Sequence, residues 1–250
     1  MEFDASFFSV ALPAAFVAGV AKGGFGGGPA FVATALLALV ISPTLALGIM
    51  LPLLILADLV TLRPFWRQWD AAGAKALIYG CIPGVLLGAG LYQVIRPDLL
   101  GVLIGLIALL FVLFQIARER GWIEVSDQPL HEGFGLAAGA VAGFTGFVSH
   151  AAGPPAAMYL LSKRMGKTNF QASMVLVLGT INALKVVPYA SLGLFSLDTL
   201  KADAYMVAPL LAGCTVGVYA HRALPERVFF LITYVLLAGA GSKLIHDGLT

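Results

Sequence analysis

Long apolar stretches broken by short polar ones set the pattern of this chain. They fall at roughly 6–22, 29–41, 44–62, 72–94, 99–117, 134–149, 154–162, 172–195, 204–220 and 227–245. A helix crosses a bilayer in about 20 residues, with a range near 17–25. The third, fourth, fifth, eighth, ninth and tenth stretches meet or approach that length. The first two are short and are joined by KGGFGGGP (22–29); the sixth and seventh are short and are joined by GFTGFVSHAAGPP (143–155). The order short, short, long, long, long therefore occurs twice. The pattern predicts an all-α polytopic membrane protein of two homologous halves, each with a short broken or re-entrant helix pair plus three longer transmembrane helices. Residues 1–120 form the first repeat, 121–133 a polar connecting loop, and 134–250 the second repeat.

Individual residues repeat at an offset of about 124. FVAG at 16–19 matches AVAG at 140–143, and Asp58, Thr61, Pro64 and Phe65 match Asn182, Lys185, Pro188 and Tyr189. Pro97-Asp98 matches Pro225-Glu226 after a small insertion. Charge sets the orientation. The link from Arg63 to Lys75 and the link from Ser162 to Gln171 are basic, and basic links stay on the cytoplasmic side. Three crossings between one short pair and the next make an odd count, so the halves insert in opposite directions, as inverted repeats. The N-terminus, with Glu2 and Asp4, and the acid-containing link Asp198–Asp203 then lie outside, and the link Ala220–Arg227 lies inside. If each short pair instead spanned as one broken helix, the repeats would be parallel and one strongly basic link would face outward.

Composition agrees with a membrane solvent. The chain of 250 residues is 60% hydrophobic and 11% charged, with mean hydropathy +0.94, whereas soluble domains carry about 25% charged residues. No basic patch suggests nucleic acid as a partner. The start MEFDASFF lacks a basic region, which argues against a cleaved signal peptide. Cys81 and Cys214 sit apart in apolar runs and read as core filler, so no metal or other cofactor is expected. The series Gly80, Gly84 and Gly88 suits close helix packing, either within one chain or in a homo-oligomer.

The stretch KGGFGGGP is no phosphate loop of the G-x-x-x-x-G-K-[ST] type, because Lys22 precedes every glycine. Helix packing explains some glycines, but five in six positions would cost a helix about 1 kcal/mol each. An unwound turn at membrane depth fits better, since such backbone survives only inside protein or against a wet cavity. Pro29 then stands where a new helix begins, and Gly153-Pro154-Pro155 repeats the device. Two helix N-termini pointing inward would offer N–H donors and positive dipole ends to an anion. The candidate substrate-binding residues are Lys22, Gly23, Gly24, Gly26, Gly27, Gly28, Ser149, His150, Gly153, Asn182 and Lys185. Asp58 and His150 are the candidates for proton coupling. Each has a blander alternative: Lys22 snorkelling to the surface, His150 as a structural imidazole, and Asp58 in a structural ion pair with Lys22 or Lys185.

The glycine-rich turn, the cognate Gly143, Phe144, Gly153, Pro154 and Pro155, and the chain length together resemble the TauE/SafE-like sulfite exporters, also called domain-of-unknown-function-81 or sulfonate-permease-type membrane proteins. The resemblance implies a secondary transporter of the bacterial cytoplasmic (inner) membrane, with seven or eight crossings in two halves. It implies sulfite, organosulfonates or related sulfur-containing oxyanions as substrate, often exported. The expected partners are thus the lipid bilayer and a small anion. The competing classes are an anion channel, a membrane assembly subunit and an intramembrane enzyme. The last is disfavoured because Ser149 and His150, as helix neighbours, would not face each other, and neither H-E-x-x-H nor G-x-S-x-G occurs.

Overall fold

The computed structural model describes residues 4–122, 130–223 and 226–250. Among these the chain forms ten α-helices and no strand: α1 (Ala5–Gly24), α2 (Val32–Leu37), α3 (Pro43–Leu62), α4 (Ala71–Val94), α5 (Pro97–Glu119), α6 (Glu132–Ser149), α7 (Gly153–Ser162), α8 (Lys167–Ser191), α9 (Leu197–Ala223) and α10 (Glu226–Leu249). Six helical stretches among the described residues are long and apolar enough to cross a membrane. Glu2, residues 123–129 of the connecting loop, and Pro225 of the Ala220–Arg227 link lie outside the described residues.

Local chemistry sets most boundaries. Asp4 caps α1, its carboxylate accepting from Phe7 N–H at 2.8 Å. Asp70 caps α4, accepting from Gly73 N–H at 2.5 Å. Proline opens α3, α5 and α7 in their first turns, where its missing N–H costs nothing.

Several expected boundaries shift. The first stretch is not short: α1 has 20 residues, and Gly23 and Gly24 are helical, so the break begins at Phe25. These glycines serve packing, because a side chain on either would strike the α9 backbone at Cys214 or Gly217. The second stretch is shorter than expected, a 3-10 turn over Gly28–Phe31 followed by α2. The link Asp198–Asp203 is not a loop but the first turns of α9. Ser196 and Thr199 cap it reciprocally, Thr199 Oγ1 accepting from Ser196 N–H at 2.9 Å and Ser196 Oγ from Thr199 N–H at 3.2 Å. Likewise Lys167 to Gln171 belong to α8 rather than to the preceding link.

The most extensive helix contacts are α4 with α6 and α1 with α9, followed by α5 with α10. Backbones nearly touch in the first two pairs. Gly84 lies against the Ala140 carbonyl and Gly143 against the Cys81 carbonyl; Gly213 lies against the Phe16 carbonyl and Gly19 against the Leu210 carbonyl. The Gly80, Gly84, Gly88 series therefore packs on α6 of the same chain. Two further pairs run antiparallel. Asp58 meets Asn182 while Phe65 clusters with Ala172 and Val175, so α3 ascends as α8 descends. Gly105 lies beside Gly241 while Gly248 lies beside Asp98 and Val102, which fixes the same sense for α5 and α10.

Candidate functional site

Two helix breaks border one cavity. At the first, Gly26 and Gly27 adopt φ of 70° and 66°, a left-handed conformation that needs no Cβ. Gly27 N–H reaches back to the Ala21 carbonyl at 3.0 Å. Gly26 N–H donates to Oε1 of Gln171 on α8, whose Nε2 donates to the Lys22 carbonyl at 3.0 Å. At the second break His150 takes the left-handed position, with φ of 58°. Ala151 N–H returns to the Thr145 carbonyl at 3.3 Å, and Thr145 Oγ1 donates to the Ala151 carbonyl at 2.9 Å. The turn is thereby closed on both strands of its loop.

Beside the turns lies a buried polar layer between α3 and α8. Lys22 Nζ donates to Asp58 Oδ1 at 2.5 Å, and Asn182 Nδ2 donates to Asp58 Oδ2 at 2.7 Å. Lys185, fully buried, donates to the Gly146 carbonyl at 2.9 Å and lies 2.8 Å from His150 Nδ1. His150 Nε2 lies 3.2 Å from the Leu47 carbonyl, an acceptor only, so that nitrogen carries a proton. Two buried lysines, Lys22 and Lys185, thus share this layer with a single carboxylate among the described residues, and that carboxylate is engaged by Lys22.

The two turns share a cavity of about 130 Å³, with Gly26 and Pro29 on one side and Gly153 and Pro154 on the other. Gln115 and Arg118 of α5 and Lys167 and Gln171 of α8 supply polar groups to its wall. Arg118 is in the last turn of α5 and Lys167 opens α8, so the cavity reaches toward the face that carries the basic links. A second cavity, about 240 Å³, lies between α3 and α8 and reaches Asp58.

A family model, sulfite exporter TauE/SafE, matches residues 11–244. The chain belongs to the TauE/SafE family. TauE/SafE proteins are membrane transporters of the sulfite or sulfonate type rather than enzymes. Searches of curated proteins and of solved structures found no match.

In this TauE/SafE protein the candidate residues divide into groups. Lys22, Asp58 and Asn182 form one cluster; His150 and Lys185 form another. Gly24, Gly26 and Gly153 line the cavity, whereas Lys22, His150, Asn182 and Lys185 are not on its wall. Gly23 is inside α1, and Gly28 opens the 3-10 turn. Ser149 turns away from His150 and donates to the Thr145 carbonyl at 2.9 Å, so the two form no dyad. The expected cradle of N–H groups is thin. Gly26 and Gly27 have spent theirs inside the protein, Ala156 N–H bonds the Ala152 carbonyl, and prolines at 29, 154 and 155 have none. Sequence reasoning passed over Gln115, Arg118 and Gln171, which supply side-chain polarity instead. A glutamine inside an apolar run, as Gln115 is, was the available signal.

Proposed function

We propose that the protein is a secondary transporter that exports a small sulfur-containing oxyanion, sulfite or an organosulfonate, across the bacterial cytoplasmic membrane. The observation that carries this reading is the meeting of both helix breaks on one cavity, near a buried layer with two lysines and one carboxylate. Charging a buried lysine that has no carboxylate partner is costly, and a nearby bound anion would favour its charged form. The cavity reaches toward Arg118 and Lys167 near the basic links. By the charge rule that face is cytoplasmic, which suits loading from inside and release outside.

The alternating mechanism rests on symmetry. The contacts α4–α6 and α1–α9 exchange under an offset between the first five helices and the last five, as do α3–α9 and α4–α8. Helices that would be their own counterparts, α3 with α8 and α5 with α10, run antiparallel. A two-fold axis in the membrane plane accounts for that sense; an axis along the normal would make them parallel. The reading is therefore of residues 1–120 and 134–250 as inverted repeats that rock about the shared cavity. Asp58, reached by its own cavity, is the candidate proton carrier, with His150 the second.

The test is sulfite efflux from proteoliposomes. A transporter gives saturable flux stimulated by counter-substrate, and Lys22→Ala and Lys185→Ala each reduce it at least tenfold. Flux that neither saturates nor responds to counter-substrate supports a channel, and normal flux in both lysine variants removes the role of the buried charge.

A further inference from the structure

Gln115 leaves one hydrogen bond unmade. It lies on α5, is 6% exposed, and borders the cavity between the turns, yet its Oε1 receives no donor. Leaving a buried acceptor unpaired is unfavourable. Gln171, on the same wall, differs: its Oε1 takes the Gly26 N–H, and its Nε2 serves the carbonyls of Lys22 and Gly23. The cavity is only about 130 Å³, so any ligand is small. Its charged neighbours, Arg118 and Lys167, are cationic. An ammonium donor placed there meets like charge; a neutral O–H does not.

We propose that Gln115 Oε1 accepts a hydrogen bond from the transported anion. The preferred substrate is then a small monoanion that carries a neutral hydroxyl, such as a hydroxyalkanesulfonate or hydrogensulfite, rather than an anion with acceptors alone. The inference rests on the transport reading above and adds a specificity-determining residue to it. The anionic group faces Arg118 and the positive end of α7 at Gly153, while the hydroxyl turns to Gln115. An anion that lacks the hydroxyl offers the amide oxygen no donor of its own, and so binds more weakly.

The experiment compares 2-hydroxyethanesulfonate with 1-propanesulfonate, which replaces the hydroxyl by a methyl of similar size, with sulfite as the reference. Binding to the purified full chain in detergent is read by calorimetry, for wild type, Gln115→Leu and Gln115→Met. The expected result is a preference of about tenfold for the hydroxyl compound in wild type, lost or reversed in both variants. Equal affinities in wild type overturn the proposal, and that comparison stands even if a variant does not fold. A preference that survives in a folded Gln115→Leu overturns it as well. Sulfite binding without any hydroxyl preference removes the role of Gln115 alone; failure of all three anions to bind removes the transport reading with it.

Discussion

Asn182 donates a 2.7 Å hydrogen bond to Asp58, the residue 124 positions before it. The two are counterparts in the repeat read from the sequence, and they meet where α3 and α8 cross. One position carries the charge and the other its neutral near-isostere, so the pair holds one negative charge where two equal residues would hold two or none. Lys22 takes the remaining carboxylate oxygen at 2.5 Å.

Removing that carboxylate strands Lys22. Asp58→Asn is expected to destabilise the protein by about 3–5 kcal/mol, because it leaves a buried ammonium unpaired. Adding Asn182→Asp returns a carboxylate to the layer and should recover more than half of the loss. Chemical denaturation in detergent checks both. An unaltered midpoint in Asp58→Asn contradicts the account of this layer.

Glycines at the close helix contacts should be intolerant of a side chain. At Gly84 a Cβ would meet Ala140 and Phe144 backbone, and at Gly213 it would meet Phe16 and Val20 backbone. Alanine at either is expected to cost about 1–3 kcal/mol, as overpacking does. Gly90, also on α4, has nothing within 4 Å of such a Cβ. Gly90→Ala should be neutral, or stabilising by about 1 kcal/mol from helix propensity. Thermal melts of the three variants give the ranking.

The helix breaks were legible in the sequence because they depend on backbone chemistry, and a pairing of Asp58 with Lys22 was among the readings it offered. Glycine and proline mark a break whatever surrounds them. The end of α1 was not legible, since Gly23 and Gly24 read as unwound yet stay helical. Their lack of a side chain is used by α9, a partner some 190 residues away in sequence. The cavity wall was likewise hidden. Gln171 looked like part of a basic link, but the helix begins at Lys167 and turns this amide inward to Gly26. Ser149 was drawn in by its neighbour His150, whereas its hydroxyl is consumed by the preceding turn of α6. Tertiary contact, not local pattern, decided each of these.

The left-handed turn at His150 carries both geometry and contacts. His150→Asn keeps a residue that tolerates φ near 58° but loses the Lys185 contact. His150→Val loses both and forces a β-branched side chain into that region, at a cost of about 1–2 kcal/mol. Both variants should transport poorly and melt lower than wild type, and the valine variant should melt lower than the asparagine variant, because it alone adds the strain. Equal melting temperatures contradict the assignment of strain to this turn.

Gln171 is expected to hold the first turn shut. In Gln171→Leu the Gly26 N–H loses its acceptor, and amide exchange across 25–28 should rise at least tenfold, with exchange in α5 unchanged. Protection equal to wild type would show that another group fixes the turn.

The most direct measurement locates the anion itself. Selenite, the selenium counterpart of sulfite, supplies an anomalous signal in crystals of the full chain. The account predicts a single strong selenium peak in the cavity between Gly26 and Gly153, within reach of Arg118. A peak on the Asp58 side of α3 and α8, or only at the protein surface, would contradict it.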